Sequence, residues 1–567
     1  MVMLLVPPRR FALLAAALLA GCAAGGAADA GPGGFSSSRP SAFGAYLAGR
    51  FAAAETDTRT AADELLEALR LAPNEPEVLT RAFLAAVMDG RPDAVRLAHR
   101  LPQSELAIML LAGADGMAGR WERAEARLRE LPRNGAAQVL QPLLLAWAQA
   151  GRGATDTALA TLRPQMEGGR LRGLAALHGA MIADIANRPA EAERLARLAL
   201  SESSEANLRM LQIIAGIFER AGKSADAARL LDAVALGGDD FALLGNPEMR
   251  QRLLRRRAVA SAVEGMAEAE LALAGALRGQ GAPELTLLLS RLALRLRPDF
   301  TPALLIAADS LAEEAHPAAA LDLLRKVSED DPLAPVVMLR RASLLDRMDR
   351  PEEAISTLRA LAQAQPDAVQ PQARLGDLLR RRSRFPEAAE AYTAAIGRVG
   401  APQAGHWPLF YARGIALERS GNWTAAEADF RRALQLSPDQ PYVLNYLGYT
   451  WVEHGANLPE ARRMLERAAE LRPQDGNIAD SLGWALFKLN DLSNATRWLE
   501  KAAELEPRNS VINDHLGDAY WADGREREAR FQWRRALSLE PEPGDAPRIS
   551  AKLRDGLPGT SRAALPQ

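Results

Sequence analysis

The chain has 567 residues, 48% apolar and 25% charged, the proportions of a folded globular protein. Its 69 basic side chains nearly balance 71 acidic ones, so a net charge of −2 supplies no overall field for capturing DNA, RNA or an acidic membrane surface. One cysteine, Cys22, leaves no internal disulfide and no CxxC metal or redox pair.

At the amino terminus Arg9 and Arg10 precede an apolar run of ten residues, Phe11 to Ala20, and small residues follow. This is the pattern of a secretory signal, whose apolar core is too short for a bilayer that needs about 20 such residues. Leu19-Ala20-Gly21-Cys22 resembles the lipobox of bacterial lipoproteins. That resemblance implies cleavage before Cys22 and a diacylglycerol on its thiol, and Ala23-Ala24 implies sorting to the outer membrane. Residues 23–40 are small and glycine-rich, so they read as a flexible tether. Eighteen residues of that kind span roughly 25 Å root-mean-square.

Beyond the tether the sequence repeats itself. Gly414, Gly448, Gly483 and Gly517 follow one another at steps of 34, 35 and 34 residues. Each is followed by a small residue (Ala426, Ala461, Ala495, Ala529), a large apolar one (Phe430, Leu465, Leu499, Trp533) and a proline (Pro438, Pro473, Pro507, Pro541). The small positions suit two helices pressed together, the large ones fill space between them, and the prolines stop the second helix. Gly421, Gly455 and Gly524 fit a left-handed turn between the helices, and Asn490 in the same place also tolerates that conformation. Upstream, Gly376, Ala342, Ala308 and Ala274 continue the register, so that eight units cover about 264–541. Gly49 with Ala61, Leu65 and Ala68, and later Ala112, Ala146, Ala180 and Ala215, extend a more degenerate series, with a shorter helical pair over 75–102.

The pattern resembles the tetratricopeptide (TPR) repeat, which implies an all-α solenoid of stacked helical hairpins whose concave face binds peptides or partner helices. The chain then divides into a signal (1–21), a lipidated tether (22–40), degenerate repeats (41–236), an interruption expected as a long helix or hinge (237–263), a regular array (264–541) and a carboxyl-terminal cap or tail (542–567).

No catalytic constellation emerges. The six histidines are scattered, none in HExxH, no GxSxG elbow occurs, and Ala221-Gly-Lys-Ser224 lacks the glycine spacing and the leading strand of a phosphate loop. The chain is therefore expected to be no enzyme, with no metal, cofactor, nucleic acid or small-molecule substrate. Two arginine runs, 250–257 and 380–384, suit solvated faces and helix C-termini, or docking to an acidic partner or lipid headgroups.

Aromatic residues are distributed unevenly: seven of nine Trp and five of seven Tyr follow residue 400. Trp451, Tyr520 and Trp533 fall at packing positions. Counting along the first helix of each unit exposes a second face at helical spacing. It holds Tyr411; then Tyr442, Asn445 and Tyr449; then Asp480, Trp484 and Phe487; then Asp514, Asp518 and Trp521. Rings flanked by Asp and Asn suit peptide capture, and they equally suit packing in a tightly wound superhelix.

In its order of features, with Val263–Gly275 before the regular repeats and Ile549–Leu557 after them, the chain is similar to large TPR outer-membrane lipoproteins of proteobacteria, including adaptors of carboxyl-terminal processing proteases. That resemblance implies a lipid-anchored scaffold facing the periplasm that brings a protease to cell-wall hydrolase clients. The alternative is a lipoprotein subunit of an outer-membrane machine for protein insertion, polysaccharide export or pilus formation.

Overall fold

The computed structural model describes residues 41–132, 135–203, 207–234, 247–278 and 280–557; Cys22, the signal and the tether lie outside them. Among the described residues there are thirty α-helices and no strand, so the fold is an all-α TPR-type solenoid. No described helix is long and apolar enough to cross a membrane. The chain divides into two compact units between Asp89 and Gly90.

The first unit has three helices, Ala42–Ala54, Thr58–Leu71 and Pro76–Asp89. Ser41 and Asp57 cap the first two by accepting the N–H groups of Gly44 and Thr60. Gly49 lies against Leu65 so closely that a Cβ there would sit 2.6 Å from Leu65 Cγ. The Tyr46 hydroxyl donates to Glu77 at 2.6 Å and ties the first helix to the third.

The second unit repeats this arrangement. The small residue of each first helix faces the large residue of its own second helix: Gly376 faces Tyr392, Gly414 Phe430, Gly483 Leu499 and Gly517 Trp533, where an added Cβ would approach ring or methyl carbons to 2.7, 2.6, 2.7 and 2.5 Å. Interiors pack at near-crystalline density, so the large partner determines which residue fits opposite it. Between the paired helices one residue turns left-handed. Gly421, Gly455 and Gly524 do so, and Asn490 with φ +60° does the same, as its chemistry predicts. Asp349 shares that chemistry in the corresponding turn upstream, whereas Ala315 and Ser383 occupy theirs without it.

Trp147 is fully buried over Gly265, and its indole Nε1 donates to His178 Nδ1 at 2.9 Å. The described part of the interruption is a nine-residue helix, Pro247–Arg255, followed by a strap to the cap residue Ser261. Arg209 and Arg297 both donate to the Ala258 carbonyl, at 2.9 and 3.0 Å, and pin that strap. The second arginine run is a set of cross-ties between neighbouring hairpins: Arg381 and Arg382 reach Asp346, and Arg384 reaches Glu352.

Candidate functional site

Four consecutive first helices carry the residues of the second face: Trp407–Arg419, Pro441–Glu453, Gly476–Lys488 and Ser510–Ala522. Their packing stripes are buried, which rotates the remaining positions towards the next first helix along the stack. The face therefore becomes a sequence of contacts between neighbours, and its four parts differ in what they meet.

Tyr411 is half-buried in an aromatic cluster, with its ring 6.0 Å from those of Trp407 and Tyr446 and 6.1 Å from Phe430. Burial raises its pKa. Tyr442 is 42% exposed, with the Arg472 guanidinium 5.7 Å from its ring centre. One turn on, Asn445 is half-buried, and its Oδ1 is shielded from water without a hydrogen-bond partner. Tyr449 is half-buried too; burial, reinforced by the carboxylates of Glu453 and Asp480, pushes its hydroxyl up to about 12 against the opposing charge of Arg548.

The next helix is tied into both neighbours. Trp484 donates from Nε1 to Glu453 at 2.7 Å and stacks on Phe487 and His515, with centroids 5.1 and 4.0 Å away. Asp480 is buried and holds His515 Nδ1 at 3.0 Å. Burial alone would lower the His515 pKa, but Asp480, Asp514 and Asp518 outweigh it, so the imidazole stands above its ordinary 6.5.

Asp514 and Asp518 are only 1% and 3% exposed. The final helix, Asp545–Asp555, lies across them. Its Lys552 Nζ donates to both Asp514 oxygens at 3.0 Å and to Asp518 at 2.5 Å, and Arg548 reaches Asp514 at 2.8 Å. Asp518 also accepts from Trp533 Nε1 at 2.9 Å, and burial raises its pKa against the pull of Lys552. Gly556, with φ +78°, fits under Trp521, where a Cβ would come within 2.1 Å of the ring. Arg548, Lys552 and Gly556 thus meet Asp514, Asp518 and Trp521 at matching helical intervals. The acidic side of this interface falls on the second face counted along the first helices; the basic side lies on a separate helix, although its spacing of four is visible in the sequence.

The structure therefore joins Asp480, Trp484, Asp514, Asp518 and Trp521 into one internal network, packs Tyr411 among rings, and leaves Tyr442, Asn445 and Tyr449 as the more open part. No nucleophile in this set is paired with a base.

Models of the tetratricopeptide repeat match residues 339–404, 373–441, 411–457 and 479–509. The chain carries TPR repeats. A "TPR repeat-containing protein" of Pseudomonas aeruginosa is 33% identical over 86 residues, which is 15% of this chain and 15% of that relative's own length. Among solved structures, the Cut9–Hcn1 hetero-tetramer of the APC/C is 15% identical, with 90% of this chain and 96% of that one covered at a TM-score of 0.37. A TPR protein from Parabacteroides merdae is also 15% identical, covering 43% of this chain and 95% of its own at the same TM-score. This is a large TPR-repeat protein, and TPR proteins in general bind protein partners. Tyr411, Tyr442, Asn445 and Tyr449 fall within the matched TPR segments, whereas Asp514, Asp518 and Trp521 lie beyond them.

Proposed function

We propose that this chain is a lipid-tethered TPR scaffold that holds periplasmic proteins at the outer membrane, and that its clients include a carboxyl-terminal processing protease with a cell-wall hydrolase. The observation that carries the binding role is the patch at Tyr442 and Asn445, an exposed ring beside a shielded, unpartnered amide oxygen. A buried acceptor without a donor is costly, and turning the Asn445 amide outward would let the backbone N–H of an extended peptide satisfy it while the ring covers the peptide's side chains. The tether rests on Cys22 and its flanking sequence. Two proteins held on one scaffold react at the effective concentration that the scaffold sets, without a catalytic group of its own.

The test uses the purified full-length chain with the processing protease and its hydrolase substrate. Capture of the protease and faster hydrolase cleavage are expected. Changing Tyr442→Ala together with Asn445→Ala should weaken capture about tenfold or more, as loss of a central interface anchor does, with unchanged helicity. Absence of both capture and acceleration would overturn the adaptor reading; co-purification with an integral barrel would replace it with the assembly-machine reading.

A further inference from the structure

The first helix, Ala42–Ala54, is apolar on both sides. Ala45, Gly49 and Ala52 are buried against its neighbour, while Phe43, Leu47 and Phe51, one turn apart on the opposite side, are 71%, 47% and 70% exposed. Gly44, Ala48 and Ala54 add exposed, uncharged surface around them, and one cation, Arg50, is exposed beside Phe43 and Leu47 with its guanidinium 5.8 Å from the Tyr46 ring. Elsewhere the large exposed apolar side chains, Leu84, Met117, Tyr442, Val511 and Phe531, stand one to a helix. A terminal repeat ordinarily turns a polar side to water, because no further repeat covers it. A continuous stripe in that place needs an occupant.

We infer that the Phe43–Leu47–Phe51 stripe lies in the lipid surface to which Cys22 is anchored. This rests on the reading that Cys22 is acylated. Three arguments favour lipid. Phe43 follows Cys22 by only 21 residues, a length of chain that reaches at most about 75 Å, so an acyl anchor keeps the helix within reach of the bilayer. A Phe/Leu stripe bordered by the single cation Arg50 suits shallow insertion at the headgroup boundary, with the guanidinium at the level of the lipid phosphates. Three side chains also provide far less than the roughly 800 Å² per partner of a stable protein interface, whereas a tethered helix needs no such area. Contact at the stripe would fix how the repeats stand on the membrane.

Once Cys22 is acylated, Leu47→Cys supplies the single free thiol of the full-length chain, because the sequence has one cysteine. The lipidated variant is labelled there with a polarity-sensitive fluorophore and reconstituted on vesicles of phosphatidylethanolamine and phosphatidylglycerol. Intact mass reports the acyl group separately. The expected result is a blue shift with a several-fold rise in emission on vesicles and quenching by nitroxides placed shallowly in the acyl chains. Both effects should disappear with Phe43→Glu and Phe51→Glu while the chain stays vesicle-bound. Water-like emission from an acylated, vesicle-bound chain overturns the inference and leaves the anchor standing. A mass without acyl groups overturns the anchor reading and the inference with it. A blue shift without vesicles that grows with protein concentration assigns the stripe to a second copy and overturns the lipid assignment.

Discussion

The helix Ala42–Ala54 turns Phe43, Leu47 and Phe51 outward, whereas the helix Asp545–Asp555 turns Lys552 inward onto a buried acidic pair that the exposed Arg548 also reaches, and leaves Pro547, Arg554 and Asp555 to water. Both are terminal elements of stacked repeats, and a stack always has terminal faces without a neighbour. At the carboxyl terminus an added helix covers the last repeat, and its packing centres on ion pairs. At the first described helix the face is apolar, and no other described residue covers it. The contrast separates a surface built to be closed within the chain from one left for something outside it.

The comparison is broken most severely by removing the charge that closes the carboxyl-terminal interface. Lys552→Met leaves Asp514 and Asp518 buried with Arg548 alone, and a buried pair deprived of one partner typically loses about 3–5 kcal/mol. Hydrogen exchange should show the helices Ser510–Ala522 and Asp545–Asp555 losing protection together, while the three helices of the first unit keep theirs. Adding Asp518→Asn should restore part of the loss, because Asp518 is the carboxylate left without a cation while Arg548 still holds Asp514. If Lys552→Met leaves exchange unchanged, apolar contacts at Ile549 and Gly556 hold the helix, and the ion pairs are incidental.

Protonation sharpens the comparison by separating this charged network from the neutral interior. Burial lowers His178 to about 3 from an ordinary 6.5, so the unfolded chain binds the proton and the folded one does not. Its surroundings therefore keep full stability above pH 6.5 and lose about 1.4 kcal/mol per pH unit as the pH falls from there towards 3. His515 is raised above 6.5 by its aspartates, so its contribution is complete below 6.5 and declines as the pH rises through its folded pKa. Exchange measured across pH should thus weaken the Trp147 region on acidification and the Asp480–His515 contact on alkalinisation. Weakening of both in the same direction would contradict the opposed environments of the two rings.

What the sequence reveals follows from the range of each interaction. The 34-residue register is legible because small and large residues pair within one hairpin, as Gly414 does with Phe430. The left-handed turn at Asn490 is legible from its own chemistry, and Asp349 has the same tolerance, whereas those at Ala315 and Ser383 are imposed by helix packing. The second face is found by counting within a helix, but its partners come from the next one. Asp480 meets a histidine 35 residues away, and Asp514 and Asp518 meet a lysine 38 and 34 residues away. A count confined to one helix therefore brings Asp514 and Asp518 into the same set as the exposed Tyr442, although the fold buries the aspartates. Gly265 shows the same limit: its need for a small residue is set by Trp147, more than a hundred positions earlier.

The smallest expected effect lies at the first helix and is the most discriminating. Phe43→Ser and Phe51→Ser remove two large apolar side chains, a change that usually costs 3–5 kcal/mol in a core. Here both side chains already face water at 71% and 70% exposure, so folding transfers little of their surface. Surface substitutions of that kind stay within about 0.5 kcal/mol. Urea unfolding of the double variant, followed through exchange of the helices Ala42–Ala54 and Thr58–Leu71, should match the parent. A loss of 2 kcal/mol or more would mean that the stripe is part of the chain's own core in solution. The two terminal helices would then both be closed from within, and the difference between them would vanish.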